Sequence, residues 1–295
     1  MSVLQNPVTI KELRSRMRGR RAFVVLTVYL LLMSCFVTVV YLAYASAANN
    51  PFGPDPRLAG KTIFATVVGV QVLLVIYIGP SFTAGAITGE KERQTYNLLR
   101  TTLLPARALV SGKLVSSLGY VMLLIFASLP IQSIAFLLGG VSLVEMVVAE
   151  LLIVVSALAF AMIGLFLSSI MRSTLAASVS TFASALFLTF GLPSIALIIL
   201  PLAGNTLFGS APAPILELLL VYAGLALAAT NLPATIIVSE VLLLQEDTVF
   251  YTIESIGGYS ALIISPWTIY LVLYGLLAAI LFVLTVANVK RIPVK

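Results

Sequence analysis

The sequence predicts an all-α polytopic membrane protein, a six-helix transmembrane bundle. Three observations carry this. Hydrophobic residues make up 60% of the chain and charged residues 9%, where an ordinary soluble domain has roughly 25% charged. Several apolar runs reach the roughly 20 residues that an α-helix needs to cross the hydrocarbon core. Runs such as VVLTVYLLLMSCFVTVV (24–40) do not alternate every second residue, which sets aside a β-barrel, so helices must satisfy the backbone inside lipid.

The whole chain, 1–295, reads as one transmembrane domain. Its first segment, NPVTIKELRSRMRGRR (6–21), places Val8, Ile10, Leu13 and Met17 near one helical face, with basic residues over the rest. Such a helix lies in the membrane interface with its cations toward anionic lipid. Span one follows at 22–45. It is too long, and lacks a small-residue cleavage site, to be a removed signal peptide. The Pro-, Gly- and Asn-rich stretch 49–60 is a turn. Span two covers 62–86 and contains Gly79-Pro80, a kink and a candidate hinge.

The stretch 86–113 is the most informative. It holds Glu90, Lys91, Glu92, Arg93, Arg100, Arg107 and Lys113 in a chain with few charges. Thr88 is placed to cap a helix whose first turn carries Glu90 and Glu92. Leu98, Leu99, Leu103 and Leu104 give that helix an apolar side. A passive connection between adjacent spans is usually much shorter.

Spans three to five run over 114–138, 146–170 and 174–200, completing five spans within 22–200. Gly164, Ser168, Ala176, Ala177, Ser180, Ala183 and Ser184 are small residues suited to close helix packing. Glu150 sits just inside the outer edge of span four, and Glu217 lies in the next region. Either acid is a candidate for contact with a transported substrate. Region 202–262 is apolar but broken at Asn231-Leu232-Pro233, where proline disfavours helix. It reads as an outer-face or re-entrant helical region, with two short crossings as the alternative. Glu240, Glu246, Asp247 and Glu254 make its end acidic. The last span is 264–288, with Trp267 and Tyr270 read as aromatic-belt anchors.

The positive-inside rule orients the chain. With both termini in the cytoplasm, 15 of the 17 basic residues lie inside and only Arg57 and Lys61 outside. Eight of the 11 acids lie outside. A single full crossing within 202–262 would reverse Lys290, Arg291 and Lys295. The net charge of +6 therefore reads as topology signals and not as a nucleic-acid surface.

Absences narrow the function. The only cysteine, Cys35, permits no internal disulfide, and there is no histidine for a metal site or general base. No G-x-x-x-x-G-K-[ST] occurs, so the chain has no phosphate cradle of its own. No nucleophile elbow, zinc-protease motif or paired-cysteine spacing occurs either. No catalytic, cofactor or metal residues are assigned.

Two motifs carry a family likeness. One is N-P-V-x-x-K-E-L-R-x-R-x-R at 6–18, and the other is E-K-E-R-Q-T-Y-N-L-L at 90–99 followed by G-K-L at 112–114. With the six-span layout, the chain resembles the permease subunits of the type-2 ABC exporters. Gln94 stands where many members have glycine, and Pro105 is displaced from their usual Thr-Pro. The resemblance implies an N-terminal interfacial connector, matching Asn6, Pro7, Glu12, Arg14 and Arg18. It implies a cytoplasmic coupling helix after span two, matching Glu90, Glu92, Arg93, Thr95, Leu98 and Leu99. It further implies a separate ATP-binding subunit as partner, a second permease copy or paralogue, and a pathway between the permeases in the cell (plasma or inner) membrane. The chain would not itself be an enzyme. The rival readings are an ion-coupled carrier or channel working alone, and a membrane-embedded enzyme or scaffold.

The orientation is tested with single cysteines at Ser2 and Gln94 in a Cys35→Ala background. Both should resist a membrane-impermeant thiol reagent in intact cells and react after lysis. Labelling of either before lysis overturns the assignment.

Overall fold

The computed structural model describes residues 7–17, 20–48, 56–95, 105–195, 198, 214–246, 250–256 and 259–291. The helices are α1 (Pro7–Met17), α2 (Arg20–Ala48), α3 (Pro56–Thr83), α4 (Thr88–Glu92), α5 (Ala106–Leu137), α6 (Leu143–Ile170) and α7 (Thr174–Leu186), which runs into a π-helical turn (Phe187–Gly191). Then come α8 (Pro214–Ala228), α9 (Leu232–Glu246), β1 (Tyr251–Ile256), β2 (Tyr259–Ile264) and α10 (Pro266–Arg291). Among the described residues, six helical stretches are long and apolar enough to cross a membrane: 22–46, 57–92, 106–137, 143–170, 174–195 and 266–290. The fold is predominantly helical and polytopic, as the sequence predicts.

The chain forms two compact units. The first, Met1–Phe182 with Ala278–Lys295, is built around α3, which packs on both α5 and α6. Its centre is the apolar side of α3: Ile63, Val67, Val75 and Ile76 are fully buried. The outward faces stay apolar: Phe23, Leu31 and Phe36 of α2 are exposed, as lipid contact requires. Small residues set the closest approach. A Cβ on Gly164 of α6 would stand 2.1 Å from Thr83 Oγ1, so only glycine lets α3 and α6 meet there. Gly79 is not such a contact, because a Cβ there would meet only Ala157 O at 3.9 Å.

Pro80 sits inside α3 without ending it at once. The helix runs on to Thr83, whose hydroxyl turns back to the carbonyls of Gly79 and Pro80 at 3.3 Å. A turn over 84–87 then leads into α4. The start of α6 is a full capping box: Ser142 Oγ accepts from the Glu145 amide, and the Glu145 carboxylate accepts from the Ser142 amide.

α1 packs on α5, and its packed face differs from the predicted one. Val8 and Thr9 are buried while Ile10 is exposed. Two residues on a helix are about 200° apart, so Val8 and Ile10 cannot share a face. Gly119 of α5 makes room for Leu13, since a Cβ there would lie 2.9 Å from Leu13 Cδ1.

The second unit is Ala183–Leu277. α8 and α9 have 15 residues each, roughly 22 Å of helix against a hydrocarbon core of about 30 Å. The break between them is made by Asn231 more than by Pro233. Asn231 Oδ1 accepts from the Ala234 amide, capping α9, and its Nδ2 donates to the carbonyls of Leu188 and Thr189. Both carbonyls lie within the π-helical turn, whose i→i+5 bonding interrupts the α-helical ladder. Pro233 then falls in the first turn of α9, where its missing N–H is harmless.

Residues 251–256 and 259–264 pair as two strands where a helical region was expected. β1 and β2 pair antiparallel from Tyr251↔Ile264 to Ile256↔Tyr259. Only Gly257 and Gly258 separate the strands, the composition that two-residue hairpin turns demand. Tyr222 Oη of α8 donates to Leu262 O, holding the hairpin. Trp267 and Tyr270 are not surface anchors. Trp267 is 8% exposed and Tyr270 fully buried; Trp267 packs on Phe250, and Tyr270 stacks on Tyr274 at 4.1 Å. Glu217 is exposed on α8.

Replacing Asn231 by alanine removes a cap and two carbonyl partners. A loss of about 1–2 kcal/mol is expected, read as a lower unfolding temperature in detergent. Asn231→Asp keeps the cap and should recover part of it. An unchanged transition for Asn231→Ala refutes this account of the break.

Candidate functional site

The charged residues at one end of the first unit converge on Lys113. This lysine is on α5, and its side chain is 3% exposed. An ammonium so deeply placed needs opposite charge and hydrogen bonds. It has both: Nζ donates to Glu12 Oε1 of α1 at 2.9 Å and to Glu90 Oε1 of α4 at 2.7 Å. The second Glu12 oxygen accepts from Ser116 Oγ at 2.8 Å. One cation thus binds α1 and α4 to α5. The carboxylates themselves are 21% and 23% exposed, so they sit at the rim and the lysine at the centre.

The short helix α4 is fastened by side chains of other helices. Its first amides, with those of the turn before it, would be left open by a helix only 5 residues long. Ser168 Oγ of α6 accepts from the amides of Ile87 and Thr88 at 2.9 and 3.0 Å. Thr88 does not cap the helix, as its position suggested. It lies within the first turn, fully buried, with its hydroxyl 3.3 Å from Ser168 Oγ. Lys91 Nζ donates to Ser169 O at 2.6 Å, close to the C-terminus of α6, where freed carbonyls favour a cation. Asn288 Nδ2 of α10 reaches Ser169 Oγ at 3.4 Å.

Glu92 closes the arrangement. Its two oxygens accept from the amide and the hydroxyl of Thr174 at 2.7 and 2.9 Å. Thr174 is the first residue of α7, so the carboxylate sits where the helix end is positive. Ser173 Oγ adds a bond from the Ala176 amide. The far end of α4 finishes in a Schellman motif: the Gln94 amide donates to Lys91 O, and the Thr95 amide to Glu90 O. Gln94 is left-handed, at φ +56°. Glycine is the usual residue at such a position, because a Cβ there crowds the backbone.

The residues singled out from the sequence therefore separate. Glu12, Glu90 and Glu92 are all engaged within the chain. Arg93, Gln94 and Thr95 are exposed, and so is Arg14 of α1. Pro7 opens α1, and Gly79 and Pro80 are buried in α3. Asn6, Arg18, Leu98 and Leu99 lie outside the described residues. Ser168 and Thr174 were legible only as a small residue and a helix start. Their bonds to 87–92 span about eighty residues of sequence.

A second polar group lies deeper. Glu150, half-buried in the first third of α6, turns a carboxylate oxygen inward. Its Oε1 accepts from Gln71 Nε2 at 2.8 Å, and Gln71, fully buried midway along α3, also donates to Ser128 Oγ at 2.7 Å. Among the described residues no cluster of three or more His, Cys, Asp or Glu is placed to hold a metal ion.

Lys113→Met should leave Glu12 and Glu90 facing each other without a counter-charge. A destabilisation of about 3 kcal/mol is expected, the lower end for breaking a buried pair, because both carboxylates reach solvent. Adding Glu12→Gln and Glu90→Gln to that variant should restore most of it in thermal unfolding. If Lys113→Met unfolds like the wild type, the lysine is not the tie described.

No protein-family profile and no curated protein matches the chain.

Proposed function

We propose that the chain is the transmembrane permease subunit of an ATP-driven exporter of the type-2 ABC kind. In this reading it lies in the cell membrane with both termini and 86–113 in the cytoplasm. It pairs with a second copy or a paralogue, and ATP is bound and hydrolysed by a separate subunit. One observation carries the reading. Segment 84–95 is bonded on its near side to α5, α6 and α7, and through Lys113 to α1, while Arg93, Gln94 and Thr95 face outward. A load applied at the exposed end reaches all of those helices together.

The acids then have a different role from docking. Glu90 and Glu92 transmit, because Glu90 Oε1 is taken up by Lys113 and both Glu92 oxygens by Thr174. Docking falls to Arg93, Thr95, Leu98 and Leu99. Segment α1 follows the same motion through Glu12, which makes it a connector and not only a lipid-facing anchor.

A second reading, an ion-coupled carrier working alone, has its own support in the buried Glu150–Gln71–Ser128 group. Ionisable groups deep in spans are what such a carrier needs. The two readings part on whether transport needs a partner.

The experiment purifies the chain from its native membrane and reconstitutes it with any ATP-binding subunit that accompanies it. Leu99→Asp should weaken assembly at least about tenfold, or about 1.4 kcal/mol. Glu92→Ala should keep assembly and lose transport-linked ATP turnover, because the docked segment no longer grips α7. Transport by the chain alone, or wild-type assembly and turnover in both variants, refutes the exporter reading.

A further inference from the structure

The deep polar group of the first unit is larger than its hydrogen bonds. Around Glu150 stand Gln71 of α3, Ser128 and Gln132 of α5, and Tyr29 of α2. Gln71 and Gln132 are fully buried, and Tyr29 is 6% exposed. Ser128 is engaged, accepting from Gln71 and donating to Ile125 O at 2.6 Å. The rest is unfinished. Tyr29 Oη, Gln71 Oε1, Gln132 Oε1 and Nε2, and Glu150 Oε2 are all buried without a hydrogen-bond partner among the described residues. Gln132 stands beside Glu150 but not in bonding geometry, and Tyr29 stands likewise beside Ser128.

Such a cluster is costly in a bilayer, where no solvent reaches the open groups. Acceptors are the larger share in it: two amide carbonyls, a carboxylate oxygen and a hydroxyl that also donates, beside the one amide donor, Gln132 Nε2. Glu150 has no ion pair among the described residues. In α2, α3 and α5 the basic residues fall within the first eight positions, and α6 has none. What is missing is one positive charge that takes several oxygens at once.

We propose that Tyr29, Gln71, Gln132 and Glu150 form a binding site for a dehydrated monovalent alkali cation. Glu150 Oε2, the two amide oxygens and the Tyr29 hydroxyl are the ligands. Hard oxygens suit a hard cation. The single carboxylate matches a single charge, and a divalent ion would want more acids. A proton on Glu150 would make Oε2 a donor to one amide oxygen and leave the other open. A water would donate to two of them and leave the charge. The site belongs to the first unit alone, so it stands whether or not an ATP-binding partner exists.

The full chain, purified without partners in lipid nanodiscs, is unfolded by heat in sodium, potassium, lithium or N-methylglucamine chloride at one ionic strength. At least one alkali cation should raise the transition saturably over N-methylglucamine. At 100 times its dissociation constant the unfolding equilibrium should move about a hundredfold. Glu150→Gln should lose this response and unfold in N-methylglucamine no earlier than the wild type. Gln132→Leu keeps the carboxylate and should need at least about tenfold more cation, which keeps the test valid if Glu150→Gln does not fold. Equal transitions in all four salts overturn the proposal, as does a response that survives in both variants. A transition that depends on pH but not on the cation marks a proton-binding carboxyl and overturns it too.

Discussion

Lys113 is the group on which the charged end of the first unit depends. An ammonium with 3% of its side chain exposed is tenable only with carboxylates in contact. Glu12 and Glu90 supply them from α1 and α4. Because the charge cannot be left alone, the positions of both elements follow from it. Helix α1 is held to α5 by an ion pair and a serine. The loop helix is held at a fixed height against the same span.

The other fastenings are side chains that serve the ends of helices far away in sequence. Ser168 serves α4, Glu92 serves α7, and Asn231 serves α9 while occupying carbonyls in the π-helical turn. Inside lipid the hydrophobic effect does not draw helices together, so packing and hydrogen bonds must. Helix ends are where open donors and acceptors are found. A polytopic chain therefore concentrates its specific bonds there, and here the loop helix carries more of them than its length would suggest. The candidate coupling role rests on this: a segment so tied has little freedom to move by itself.

The deep group around Glu150 shows the opposite condition. Its polar atoms are brought together by α2, α3, α5 and α6, yet several remain open. Local sequence did not reveal it. Gln71, Ser128 and Gln132 each look like single polar residues tolerated in an apolar run, and only the packing of four helices puts them beside one carboxylate. Two other features were legible but easily misread. Ser142-x-x-Glu145 is a capping box by pattern alone. The runs flanking Gly257-Gly258 carry β-branched and aromatic residues at hairpin spacing, but their apolar character resembles that of the neighbouring spans.

Length and hydropathy alone determined the membrane class and the number of long apolar helices, because crossing a hydrocarbon core sets a minimum run that composition either meets or does not. The break near Asn231 was visible for a similar reason, since a proline and an asparagine interrupt helix locally. The tertiary structure decided the rest. It made Glu90 and the exposed Glu92 ties within the chain where docking on a partner was expected, buried Trp267 where a belt position was expected, and turned Ser168 from a small residue into a cap. Each of these depends on what lies opposite a side chain across about eighty residues or more, or on another helix, and a one-dimensional pattern carries periodicity but not partners.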